Sequence, residues 1–249
     1  MRITSVQNET IKRYALLKNK KNRDEAKEFI VEGYHLVKEA LKTNLVKKIF
    51  YADLKDIDAE GIECIEVSEN VLAKLSFTSS PQGIVAVVSF FDNEINIHNY
   101  HKAVALDRIQ DPGNLGTIIR SSKAFGIDTV VLGEGCVDLY NDKVIRSTQG
   151  IGFHMNIVSR NLSELITELK EKEIPVLGTK VEFGEDIRNL TSRDKEKFAL
   201  IMGNEGRGVN PEILALCDKY IYIELNSDVE SLNVAIAASI LLYELSRRD

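Results

Sequence analysis

From Ala103 onward, short runs of nearly continuous apolar character alternate with helical segments, and this alternation restricts the fold more than any other feature of the chain. Strand-like runs lie near Ala103 to Asp107, Thr129 to Leu132, Met155 to Val158, Pro175 to Thr179, Phe198 to Met202 and Tyr220 to Leu225. Helical patterns fit between most of them: Leu115 to Phe125, Asp142 to Gln149, Leu162 to Lys172, Pro211 to Leu216 and Ser231 to Arg248. A strand that is apolar throughout is buried on both faces, so the expectation is an α/β domain with a mostly parallel sheet and helices on both sides. The last helical run carries Leu232, Val234, Ile236, Ile240, Leu241 and Leu242 and has almost no polar face, while Ala235, Ala237, Ala238 and Ser239 permit close backbone approach. It is predicted to pack against both the sheet and a second subunit.

The first third is a smaller α/β unit. Helices are predicted over Tyr34 to Lys42 and Glu69 to Leu75, and strands over Leu45 to Tyr51, Cys64 to Val67 and Gly83 to Phe91. Periodicity is then lost from Asp92 to His101, where Asn and His gather. The predicted division is residues 1–95, a linker over 96–102, and a second domain over 103–249.

At 249 residues and 44% hydrophobic content, each part can bury its own core. No apolar stretch is long enough to span a bilayer, and nothing resembling a signal peptide opens the chain, so the expectation is a soluble cytoplasmic protein without membrane contact. Cys64, Cys136 and Cys217 are far apart and odd in number, which suits reduced thiols better than a disulfide framework or zinc site. None of the four histidines has a partner at ligand spacing, so no metal is expected. A net charge of -6 argues against a protein that coats nucleic acid, yet Arg13, Lys18, Lys20, Lys21 and Arg23 form a local basic arm. Two readings stay open for it, contact with phosphates and a solvated helix face.

Three polar constellations stand at the ends of second-domain strands, where open α/β sheets place ligand-binding groups. In the first, Asp111-Pro112-Gly113-Asn114-Leu115-Gly116, Asn114 reads most simply as a helix N-cap. Arg120 follows on the side of that helix opposite Leu115 and Ile119, where it could face an anion or stand solvated. In the second, Gly203-Asn204-Glu205-Gly206-Arg207-Gly208, the glycines permit close backbone approach and Glu205 supplies an acceptor. Its order matches neither a phosphate-binding loop of the P-loop kind nor a dinucleotide fingerprint. In the third, Ser231-Leu232-Asn233-Val234-Ala235, Ser231 is the predicted N-cap, and Asn233, a poor helix former just inside the start, is expected to have a role of its own.

Taken together, in this order, the three constellations resemble those of the SpoU, or TrmH, family of RNA 2′-O-ribose methyltransferases within the SPOUT superfamily. Phe29 to Ala40 and Pro81 to Ala86 look like that family's RNA substrate-binding domain. The resemblance implies a C-terminal α/β/α domain whose sheet is tied in a deep trefoil knot, and an enzyme that methylates RNA, ribosomal RNA in class. It implies S-adenosylmethionine as cofactor, held bent around Thr179, Gly203, Ile223, Leu225 and Leu232. Arg120, Asn114, Glu205, Ser231 and Asn233 would form the catalytic group, in a homodimer. A scaffold that binds RNA as an assembly factor without catalysis is the alternative. Where many relatives have Ile-Pro-Met before the third motif, this chain has Ile223-Glu224-Leu225.

Overall fold

A computed structural model describes residues 2–55, 57–91, 101–204 and 206–247. The chain divides into two compact units, one of residues 1–92 with 138–153 and one of residues 93–137 with 154–249.

The first unit holds strands β1 (Glu28–Glu32), β2 (Val46–Tyr51), β3 (Glu63–Glu66) and β4 (Ile84–Ser89) in the order β1-β4-β2-β3. β4 runs antiparallel to β1 and β2, whereas β3 lies parallel to β2. Alternate residues point to opposite faces, and both faces are buried. Phe29, Val31, Ile84, Ala86 and Val88 join one core, covered by Leu36, Val37 and Ala40 of a helix that spans Tyr34–Leu41. Ile30, Val85 and Val87 join the other, covered by Ile11 and Tyr14 from helix Glu9–Ala15 and by Val71, Leu72 and Leu75 from helix Glu69–Leu75. In chain order the helices are α1 (Glu9–Ala15), α2 (Lys20–Ala26), α3 (Tyr34–Leu41) and α4 (Glu69–Leu75).

Residues 138–153 correct the predicted domain boundary, because this stretch of the expected 103–249 domain belongs to the first unit. Chemistry explains the assignment. Ile145, on a helix of Asp142–Ser147, completes a first-unit core, the Tyr140 ring stacks on Phe90 at 3.7 Å between centroids, and the Tyr140 hydroxyl accepts from the Phe91 amide at 2.9 Å. Asp138 receives Arg23 at 2.6 Å. Of the expected linker, residues 96–100 lie outside the described residues and Lys102 already begins the next strand.

The second unit carries β5 (Lys102–Leu106), β6 (Thr129–Leu132), β7 (Asn156–Ser159), β8 (Val176–Thr179), β9 (Glu185–Asp186), β10 (Phe198–Met202) and β11 (Lys219–Tyr222). They form one sheet ordered β7-β6-β5-β10-β8-β11-β9, with every pairing parallel. The expected parallel sheet is therefore present. Ala103, Ala105, Ala199 and Ile201 pack on one side against Leu162, Leu165, Ile166 and Leu169. Val104, Leu106, Val130 and Leu200, of opposite parity, are equally buried, so both faces are covered.

Helices in the remainder are α5 (Pro112–Ala124), α6 (the Asp142–Ser147 helix of the first unit), α7 (Leu162–Glu171), α8 (Ser192–Glu196), α9 (Pro211–Leu214) and α10 (Val234–Ser246). α5 and α10 lie side by side and point the same way. The Asn114–Asn233, Ser121–Ser239 and Phe125–Tyr243 pairs follow one another along both helices.

Candidate active site

The first motif begins where β5 ends. The Asp107 amide donates to Met202 O at 2.8 Å, which carries the ladder one residue beyond the strand. The Asp107 carboxylate is buried, and a buried charge needs partners. It accepts from Nε and Nη2 of Arg108 at 3.2 and 3.1 Å and from the Asn210 amide at 2.7 Å. Arg108 takes a left-handed φ of 56°, and its carbonyl accepts from Asn204 Nδ2 at 3.0 Å. The loop after β5 is thereby laced to the loop after β10, its neighbour in the sheet.

α5 starts earlier than predicted, and its N-cap is Asp111 and not Asn114: Asp111 Oδ1 accepts from the Asn114 amide at 2.8 Å, and Pro112 takes the first turn. Relief from capping releases the Asn114 side chain, whose Oδ1 accepts from Asn233 Nδ2 at 2.9 Å. α10 corrects a second expectation. Its N-cap is Asn233 and not Ser231, with Asn233 Oδ1 accepting from the Ala235 and Ile236 amides at 2.9 and 3.2 Å. Ser231 stands before the helix, exposed. Further along, Ser239 donates to Ala235 O at 2.7 Å, so the 2.7 Å bond between the two hydroxyls is donated by Ser121.

Asn204 closes the second motif on itself. Its amide donates to Gly208 O at 3.1 Å, its carbonyl accepts from the Gly208 amide at 2.9 Å, and its Oδ1 accepts from the Gly206 amide at 3.0 Å. A Cβ on Gly203 would lie 2.1 Å from both Gly208 C and Val209 N, so only glycine fits beneath this turn. Gly208 returns the chain through a left-handed φ of 67°. Glu205 lies outside the described residues.

A cavity of about 310 Å³ opens at this end of the sheet. Thr179, Gly203, Ile223, Leu225 and Leu232, the five residues expected around a cofactor, all line it, as do Ser231 and Glu230. Val234, Ala237 and Leu241 of α10 form its apolar wall. Thr179 Oγ1 donates to Ile201 O at 3.1 Å, so that hydroxyl ties β8 to β10. Glu224, the departure from the usual proline, pairs with Arg188. Arg188 also holds Asp186 through Nε and Nη2 at 2.8 and 2.7 Å, and that hydrogen bonding keeps the Asp186 carboxyl below the usual carboxylate range.

Arg120 is exposed on α5, while Leu115, Ile118 and Ile119 are buried, as their spacing predicts. It has no hydrogen-bond or ion-pair partner among the described residues. The structure thus brings Asn114 and Asn233 into contact and sets Ser231 at the cavity. Asp111 and Asn204, quoted in the motifs without a role of their own, and Asp107, which the sequence reading missed as a site residue, build the loops. A carboxylate directly after an apolar strand was the available signal for Asp107.

In the first unit, Arg13, Lys20 and Lys21 are exposed, with ion pairs to Glu28, Asp24 and Glu25 at 3.4, 2.7 and 3.9 Å. Two expected members of the arm are engaged elsewhere. Arg23 is buried, donating to Leu17 O and Lys18 O at 2.9 and 3.0 Å and to Asp138 at 2.6 Å. The Lys18 ammonium bonds Ser76 O, and burial pulls its pKa down. Among the described residues no group of three or more His, Cys, Asp or Glu could hold a metal.

Residues 101–243 match the SpoU rRNA Methylase family, and residues 8–86 match the MRM3-like substrate binding domain. The 23S rRNA (guanosine(2553)-2′-O)-methyltransferase RlmP of Bacillus subtilis is 41% identical over 98% of both chains. An AdoMet-bound rRNA methyltransferase from Sinorhizobium meliloti superposes with a TM-score of 0.89 at 30% identity, covering 98% of this chain and 97% of that one. AviRb of Streptomyces viridochromogenes, a SpoU methyltransferase in complex with AdoMet, shares the fold with a TM-score of 0.83 at 24% identity over 96% of this chain and 97% of its own. With more than half of its length matched and a relative alike from end to end, the chain belongs to the SpoU rRNA methylase family.

Proposed function

We propose that this chain transfers a methyl group from S-adenosylmethionine to a ribose 2′-hydroxyl of ribosomal RNA. The observation that carries the reading is the cavity at the ends of β8, β10 and β11, with the Asn114–Asn233 pair joining the starts of the two helices beside it. The Gly203 cradle, where a Cβ would strike backbone, fits a ligand held closely by main chain, and the mostly apolar lining suits an adenine ring. Gly203, Ile223, Leu225 and Leu232 would hold the cofactor, which supplies an electrophilic methyl on a sulfonium.

The chain's own residues then have to orient an RNA hydroxyl and ease the loss of its proton. Arginine keeps its proton under these conditions, so Arg120 is assigned to an RNA phosphate and to the developing alkoxide rather than to base catalysis. Asn114 and Asn233 fix each other and Ser231 offers a hydroxyl at the cavity. Glu205 belongs to the same proposal on the strength of its motif.

In the first unit, Arg13, Lys20 and Lys21 are proposed to contact RNA phosphates. Along α10, Ile236, Ile240 and Tyr243 are 53, 40 and 55% exposed on one stripe, and we assign a second copy of the chain as its cover. A homodimer that Ile240→Lys converts to monomer, measured by sedimentation, is the expected outcome. The deep trefoil knot expected of the family is retained in this proposal, supported by the insertion of β10 between β5 and β8. No described helix is long and apolar enough to cross a membrane, and a ribosomal RNA substrate argues for a cytoplasmic location.

The deciding experiment incubates the protein with tritiated S-adenosylmethionine and ribosomal RNA from a strain lacking the gene, followed by nuclease digestion. Label in a 2′-O-methylated nucleotide is expected. RNA binding without label would make the chain an assembly factor instead.

A further inference from the structure

We infer that Phe183 is a stacking platform for a nucleobase of the RNA substrate, set at the rim of the cofactor cavity and assisted by Lys180; this rests on the methyltransferase reading above. Phe183 is 94% exposed, more than any other large hydrophobic residue described, and its neighbour Val181 is 70% exposed. A free-standing aromatic ring gains nothing from folding and favours aggregation, so it calls for a partner.

The loop that carries it is built to hold the ring outward. The Gly184 amide donates to Val181 O at 3.1 Å and closes a tight turn. A Cβ at Gly184 would come within 2.3 Å of Lys180 O and 3.0 Å of the Tyr222 ring, so the turn sits hard against its own base. Phe183 itself takes a left-handed φ of 59°, which a side chain of its size rarely adopts without cause. The base of the loop is tied to β11 by the Lys180 amide, which donates to Ile221 O at 3.1 Å. An exposed ring on a braced turn is preorganised for a flat partner.

Placement and charge select the partner. Lys180 and Val181 line the cofactor cavity, and Phe183 itself lines a groove of about 440 Å³ together with Gly184, Glu185, Asp218, Lys219 and Tyr220. The Lys180 ammonium lies 5.8 Å from the Phe183 ring and 5.6 Å from the Tyr220 ring. A cation beside one exposed ring and one half-buried ring, paired with Glu182 at 3.4 Å and next to the place where a ribose must be presented, matches a nucleotide, with base on ring and the ammonium exchanging Glu182 for a phosphate. Stacking is tolerant of base identity, so this contact would serve positioning more than sequence readout.

The test compares Phe183→Ala and Phe183→Trp with the unaltered protein on ribosomal RNA from a strain lacking the gene. Expected for Phe183→Ala is a rise in KM for RNA of about tenfold or more, with S-adenosylmethionine affinity by calorimetry and the melting temperature unchanged, and restoration by Phe183→Trp. An unchanged KM in Phe183→Ala overturns the inference, and loss of self-association in that variant would reassign the ring to a contact between protein copies. If the unaltered protein methylates no RNA, the methyltransferase reading fails first and takes this inference with it.

Discussion

Asn233 donates through Nδ2 to Asn114 Oδ1 at 2.9 Å while its own Oδ1 caps α10, so one side chain starts a helix and reaches across to the first turn of its neighbour. Asn114 can receive that bond because Asp111 has already taken over capping of α5. Asn114 and Asn233, two of the polar groups proposed for chemistry, are therefore fixed by two helix starts rather than by loop conformation, which favours precise orientation.

Asn233→Ala removes both functions. Loss of an N-cap costs about 1 kcal/mol, which for a protein of this size lowers the melting temperature by roughly 2–4 °C. Asn233→Asp keeps the cap and loses the donor to Asn114. Near-normal melting together with impaired methyl transfer in Asn233→Asp would separate the site role from the structural one.

Arg120 is exposed and without a partner among the described residues, so its removal should leave the fold intact. Arg120→Ala is expected to lose methyl transfer by about a hundredfold or more, with S-adenosylmethionine affinity unchanged by calorimetry. Equal turnover would take Arg120 out of the reaction.

Gly203 has no room for a Cβ, and the atoms that block it are backbone, which cannot step aside by changing rotamer. Gly203→Ala should displace the Asn204–Gly208 turn, abolish calorimetric binding of S-adenosylmethionine and cost about 1–3 kcal/mol in stability. Retained affinity would show that the turn does not shape the cofactor site.

The basic arm splits into two groups with opposite signatures. Neutralising Arg13, Lys20 and Lys21 should flatten the salt dependence of RNA binding by about one unit of slope for each phosphate that is no longer neutralised, at constant melting temperature. Arg23→Gln breaks a pair whose side chains are 5 and 15% exposed, and removing one partner of a buried pair costs about 3–5 kcal/mol. Denaturant unfolding and filter binding across a salt series distinguish the two.

Burial pushes the Tyr140 hydroxyl from 10.0 up to about 12, with the nearby Asp138 charge adding to the rise. The folded state then holds this proton more tightly than the unfolded chain, so the contribution is complete below pH 10 and is lost as pH climbs towards 12. The first unit should weaken over that alkaline window. A tyrosinate absorbance titration should show one late component that is missing in Tyr140→Phe.

Strand and helix alternation and the three polar motifs were legible in the linear sequence, because burial on two faces and glycine-dependent backbone approach leave local patterns, whereas the five residues expected around a cofactor, all of which line the cavity, came from the family resemblance and not from any local pattern. Asp111 in place of Asn114 and Asn233 in place of Ser231 as caps were misread because each pair offers competent acceptors within three residues, although Pro112 was a local signal for Asp111. Nor could spacing show that Arg23 turns inward to Asp138, 115 positions away, or that residues 138–153 complete the first unit's core. Local chemistry therefore determined what kind of elements this chain carries and where its polar motifs fall. Long-range packing decided which charge is buried and which segment belongs to which core, because those choices are set by free-energy differences between partners that meet only once the chain has folded.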